Sequence, residues 1–135
     1  MNAAARPELT IEAFEGGAID ASAFDHEAHI YVGWLYLEEY PLLQAVARFT
    51  DAIRRLTVQL GVPGKYHETI TWFFLFLIDE RRRRGSGADW FGFRRDNADL
   101  FATGDHSILA RYYETRTLSS DSARQSFVLP DRLAP

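Results

Sequence analysis

Between residues 42 and 60 the chain carries Leu42, Val46, Phe49, Ile53, Leu56 and Leu60 at successive spacings of four, three, four, three and four. Those spacings return to one side of a 3.6-residue helix, so the segment predicts an amphipathic α-helix. The intervening Arg48, Asp51, Arg54, Arg55 and Gln59 are polar and fall elsewhere on the wheel. A stripe of this kind must be covered by other elements, which already calls for a packed helical domain. Pro41 is expected in the first turn of this helix, and Gly61, Pro63 and Gly64 stop it.

Elements that could cover the stripe lie on both sides. Upstream, Asp25 with Phe24 before it is a good N-cap for a helix through HEAHIYVGWLYLEEY, ending where Pro41 biases Tyr40 out of helical geometry. Downstream, a helix runs from about Tyr66 to Arg84 and stops at Gly85 after four arginines. It is apolar almost all round its middle, as a helix at the centre of a bundle is. Thr10 caps a short helix from Ile11 to Glu15 that Gly16-Gly17 terminates. After GSGAD come weaker helical stretches: Trp90 to Phe101, His106 to Tyr113 capped by Asp105, and Asp121 to Val128 capped by Ser119 or Ser120. Pro130 and Pro135 close the chain, and no strong period-two run bounded by turn residues occurs. The expectation is an all-α chain: a compact single-domain helical bundle over residues 1–135, with two long antiparallel helix pairs and smaller C-terminal helices. Residues 1–22 are expected to form a loosely packed lead-in.

Composition narrows the chemistry. At 135 residues and 47% hydrophobic, the chain is long enough to bury a core without staples. It has no cysteine, which removes disulfides, thiolate nucleophiles, iron–sulfur clusters and cysteine-ligated zinc and leaves imidazole and carboxylate for any metal. A net charge of −4 gives no general attraction for nucleic acid or an anionic membrane. The start MNAAARPELT lacks the layout of a signal peptide, and the longest apolar stretch, Ile70 to Ile78, is about half a membrane span. The chain is therefore expected to be cytoplasmic, with no nucleic-acid or membrane partner. Of fifteen basic residues only Lys65 is a lysine, which points to the codon usage of a GC-rich bacterial genome rather than to a physical need. No GxxxxGK[ST], GxGxxG, GxSxG or HExxH motif is present, so nucleotide hydrolysis, dinucleotide redox and serine-hydrolase chemistry are not expected.

Three of the four histidines open the two helices expected to be most buried. At about 100° per residue, His26 shares a sector with Ile30, Gly33, Leu37 and Tyr40, and His29 lies at its edge. His67 stacks with Thr71, Phe74 and Ile78, whereas Glu68 sits about a quarter-turn round with Leu75 and Asp79. If the two helices pack side by side, His26, His29 and His67, with Glu68 near, meet in one polar pocket and are candidate ligands for a divalent transition metal such as zinc, iron, copper or nickel. First-turn positions feel the positive end of the helix dipole, which opposes a cation, although Asp25, Glu27 and Glu68 offset it. The metal-free version makes one of these histidines a general acid or base, with Tyr66, Glu68 or Tyr36 orienting it or donating to a substrate. Satisfied core or cap histidines remain the plain alternative, and Glu68 in a first turn is a natural partner for free backbone N–H groups. Glu38 and Glu39, at the unfavourable end of their helix, hint that at least one is paired with an arginine or aimed at a site, with solvated surface the plainer explanation. Arg81 to Arg84 near Trp90, Phe91, Phe93, Arg94 and Arg95 mix bases with aromatics, but arginines are also what the end of a helix favours. His106 is the least favoured histidine for a site.

The stretches FDHEAHIYVGWLYL, GKYHETITWFFLFLIDER, ILARYYETRTLSSDSAR and FVLPDR together resemble a family of short uncharacterised bacterial all-α proteins, over about Phe24 to Arg132. The most specific parts are His26 and His29 before WLYL, and YHETITW with His67, Glu68 and Trp72. The family's first motif is closer to HRDH than to DHEAH, so Glu27 carries over less well than the histidines. The resemblance implies no activity, only that the histidine segments belong together.

The function expected is a small all-α enzyme in which His26, His67, Glu68 and Tyr66 act on a small organic molecule, by acid/base chemistry or with a metal on His26, His29, His67 and Glu68. The competing class is a non-catalytic small-molecule binder or a homodimer that hides its aromatic residues at an interface. His26→Ala is expected to change stability much less than activity.

Overall fold

The periodic segment forms a helix over Leu42–Gln59, which buries Val46, Phe49, Ile53 and Leu56 and leaves Arg48, Asp51, Arg54 and Arg55 in solvent. The structure is a computed structural model and describes residues 8–20, 22, 24–85 and 89–132. The first seven residues of the expected lead-in, residues 86–88 of the GSGAD turn and Pro135 lie outside the described residues.

In chain order the helices are α1 (Ile11–Glu15), α2 (His26–Glu39), α3 (Leu42–Gln59), α4 (Glu68–Arg84), α5 (Trp90–Asp96), α6 (Thr115–Leu118) and α7 (Asp121–Gln125). Short 3₁₀ turns cover Pro63–Lys65, Ala98–Phe101, Gly104–His106 and Ile108–Arg111, and no strand is present among the described residues. The fold is all-α.

The side-chain pairings give the directions. Tyr36 meets Phe49 with ring centres 5.5 Å apart, and Trp72 Nε1 donates to Thr50 Oγ1 at 3.0 Å. His26 meets Phe74 at the start of α2 and Glu38 pairs with Arg82 at its end. Hence α2 and α4 run the same way and α3 runs against both, which makes the two long antiparallel pairs α2/α3 and α3/α4. Contact between the parallel helices is allowed by Gly33, where a Cβ would come within 3.1 Å of Leu75 Cδ2 and 3.2 Å of Ile78 Cδ1. Helix α4 packs on α2, α3 and α7, as its all-round apolar middle requires.

Several boundaries differ from the sequence expectation for local reasons. Pro41 is the N-cap of α3 at ψ 158, one residue before its first turn. Tyr66 and His67 are extended, so α4 begins at Glu68 with His67 as its N-cap. The helix expected from Trp90 to Phe101 breaks at Asn97, whose side chain donates to Phe93 O and accepts from Arg81. The stretch from His106 to Tyr113 is two 3₁₀ turns rather than a helix, because Ser107 leaves helical geometry and its Oγ accepts from Leu109 N–H. Helix α7 is N-capped by Ser120 and ends at Gln125, before an extended Ser126, while α6 was not expected at all.

Residues 9–19 are not a loose lead-in: Leu9, Phe14 and Ile19 are buried in the core, with Phe14 5.1 Å from the Phe49 ring. The C-terminal half is tied to α4 by side chains that bind main chain. Thr69, fully buried, donates to Ser126 O at 2.8 Å and accepts from Val128 N at 3.0 Å, and Tyr113 donates to Val128 O at 2.7 Å. The arginine run is engaged within the chain: Arg81 with Asp99, Arg82 with Glu38 and Arg83 with Asp79. No helix among the described residues is long and apolar enough to cross a membrane.

Candidate functional site

At the end of the bundle where α2 and α4 begin and α3 finishes, the three helices do not close on one another. They surround a cavity of about 550 Å³ on whose wall His26, His29 and His67 all stand. Its depth is apolar, built from buried Ile30, Phe49, Leu75 and Ile78. Leu60, Val62 and Lys65 line it and are exposed, so they mark where it meets solvent. Imidazoles from two distant stretches of sequence therefore share one space, as the helical spacing predicts.

Their chemical states differ. The N-cap role of His67 fixes its tautomer, because Nδ1 accepts from Ile70 N at 3.2 Å and Nε2 must then carry the proton that it donates to Leu118 O at 2.7 Å. Both of its nitrogens are occupied. His26 donates through Nε2 to Leu100 O at 2.8 Å while its ring sits edge-on to Phe74. These two histidines thus pin the segments around Leu100 and Leu118 onto the starts of α2 and α4.

His29 is different. No protein group among the described residues hydrogen-bonds its ring, which lies against Phe24 with ring centres 4.3 Å apart. It is an exposed residue that lines the cavity. The lost hydration, with His26 adding to it and Asp25 opposing, pushes its pKa down to about 4. At neutral pH the ring is an uncharged donor and acceptor with both nitrogens available.

Of the other expected residues Tyr66 lines the cavity, whereas Glu68 and Tyr36 do not. Glu68 does not line the cavity; its Oε1 accepts from Tyr66 O–H at 2.5 Å instead of from the backbone of its own helix. Burial, with that carboxylate next in effect, holds the Tyr66 hydroxyl protonated well above the ordinary tyrosine range, so it is no proton donor near neutral pH. Tyr36 is likewise spoken for, donating to Glu15 at 2.9 Å outside the cavity wall. Among the described residues no group of three or more His, Asp or Glu side chains could hold a metal ion, so the expected ligand set of His26, His29, His67 and Glu68 is not assembled. His106 is exposed and away from the cavity.

Two features of the site escaped the sequence reading. Lys65 lines the cavity, and its one available signal was being the single lysine of the chain. The carbonyls of Leu100 and Leu118 that occupy His26 and His67 are main-chain atoms far along the chain and leave no sequence signal. No protein-family model, curated protein or solved structure matches this chain.

Proposed function

We propose that this chain binds a small, largely apolar organic molecule in the cavity between α2, α3 and α4, with His29 making the polar contact. The observation that carries this reading is a His29 ring with no hydrogen-bond partner among the described residues, on a mostly apolar wall. One or a few polar groups in a mostly hydrophobic concavity of roughly 300–1,000 Å³ are the usual make-up of a small-molecule site. Of the three cavity histidines, His29 is the one with no ring hydrogen bond among the described residues, whereas His26 is bonded through Nε2 and His67 through both nitrogens.

Binding is a better reading than acid/base catalysis for a quantitative reason. General bases work best with a pKa near the operating pH. A ring pushed down to about 4 is neutral at pH 7 but a weak base, better suited to hold a hydroxyl or carboxylate than to remove a proton. An enzymatic role remains the second reading, resting on the same free ring.

Titration calorimetry of the full chain with 1-octanol, a neutral apolar probe, tests the proposal. We expect one saturable site, shifts of the His29 imidazole resonances on binding, and loss of binding in Thr71→Phe, which puts a ring into the cavity. Absence of saturable binding, or binding that leaves the His29 resonances unmoved, overturns it.

A further inference from the structure

We infer that the ligand is an apolar monocarboxylate, with its carboxylate at Lys65 and its apolar body in the depth of the cavity. This rests on the cavity reading above and adds the charge of the ligand to it. Histidines apart, Lys65 is the one residue with a charged side chain among the described residues that line the cavity. No carboxylate lines it, although the whole chain is acidic at −4. The ammonium has no ion-pair partner among the described residues; Arg54, Arg84, Arg111, Arg116 and Arg124 have none either, but of these cations only Lys65 lines the cavity. A cation at the mouth of an apolar cavity, with no carboxylate among the described residues that line it, is placed for an anion from outside.

The position of Lys65 is also held. It ends the 3₁₀ turn Pro63–Lys65, whose backbone closes through Lys65 N to Val62 O at 3.0 Å and Tyr66 N to Pro63 O at 3.3 Å. Arg124 reaches from α7 to bind Gly64 O at 2.9 Å, which staples the turn to the C-terminal segment. The N-termini of α2 and α4 both lie at this end of the bundle and add positive potential, which Asp25, Glu27 and Glu68 offset in part. A single ammonium matches a single carboxylate; a phosphate monoester, with a charge of about −1.5 to −2 at neutral pH, would call for a second cation. The neutral His29 ring supplies a donor for a second oxygen.

The experiment compares octanoate, 1-octanol and octylammonium by titration calorimetry at low ionic strength, in the wild type, Lys65→Met, Lys65→Gln and Lys65→Arg. Met and Gln remove the charge and keep much of the stem, so octanol affinity reports whether each variant has kept its cavity. We expect the preference for octanoate over octanol to fall about five- to tenfold in Lys65→Met and Lys65→Gln and to return in Lys65→Arg. Added salt should shrink the same preference in the wild type. If octanol binds but the preference is unchanged in whichever neutral variant keeps octanol affinity, or if octylammonium binds tighter than octanoate, the carboxylate assignment is overturned while the cavity reading stands. If none of the three binds the wild type, the cavity reading falls and the assignment with it.

Discussion

His26 and His67 each give a proton to a carbonyl of the C-terminal half, and this changes what their removal does. His67→Ala deletes an N-cap and strands Leu118 O; a cap is worth about 0.5–2 kcal/mol and an orphaned buried acceptor about 1–3. We expect a loss of about 2–3 kcal/mol in urea denaturation. His26→Ala strands the carbonyl of fully buried Leu100 and should cost about 1–3 kcal/mol. That reverses the sequence-level expectation of a small effect on stability, because the partner lies 74 residues away and is a main-chain atom. His29 acts through pH instead. Its folded pKa of about 4 lies below the ordinary 6.5, so between those values the unfolded chain holds the extra proton. Stability therefore rises with pH from about 4 to 6.5 and is flat above as far as this group decides it. Melting temperatures of the wild type and His29→Gln at pH 5 and 7.5 should show a smaller acid loss in the variant; equal losses would remove His29 from the pH dependence.

At the level of elements, the seam between α2 and α4 depends on Gly33. Alanine improves intrinsic helix propensity by about 1 kcal/mol but puts a methyl group against Leu75 and Ile78, and overpacking typically costs about 1–3. We expect Gly33→Ala to destabilise by about 1 kcal/mol, read by calorimetry; a stabilised variant would mean that the seam yields. The strap from α7 to Val128 depends on Thr69. Thr69→Val keeps shape and deletes two hydrogen bonds to main chain, for an expected loss of about 2–3 kcal/mol. Amide exchange should quicken first over residues 121–128 if the strap opens locally, whereas uniform quickening would mean that it opens with the whole fold. Helix α3 was legible because a repeated apolar period over 18 residues outvotes any single boundary residue, whereas α2 and α4 were read from their caps, stops and apolar length. The C-terminal turns were not, since at Asn97 and Ser107 one side chain bonding to nearby main chain decides between helix and turn.

Over the whole molecule, buried tyrosines set the alkaline limit. Burial pushes the Tyr113 hydroxyl up to about 12, and Tyr36 and Tyr66 are raised too, with burial the largest cause and a carboxylate next. The unfolded chain loses these protons at about 10, so stability is full below that pH and falls as pH rises toward 12. Tyrosinate absorbance should therefore appear together with loss of helical circular dichroism; tyrosinate formed ahead of unfolding would contradict this. The candidate site was half legible. That His26, His29 and His67 come together followed from helical spacing and from two apolar helices that must pack. Which ring is free did not, for it depends on carbonyls brought from residues 100 and 118 by turns that no periodicity encodes. Sequence alone determined an all-α chain and its three long helices, because apolar pattern, caps and stops are local properties of the chain. Tertiary structure alone decided that a cavity stays open at one end of the bundle, that Lys65 stands at its mouth and that, of the three cavity histidines, His29 has no ring hydrogen bond among the described residues. Vacancy and hydrogen-bond occupancy are properties of what surrounds a residue, and residues distant in sequence supply those surroundings.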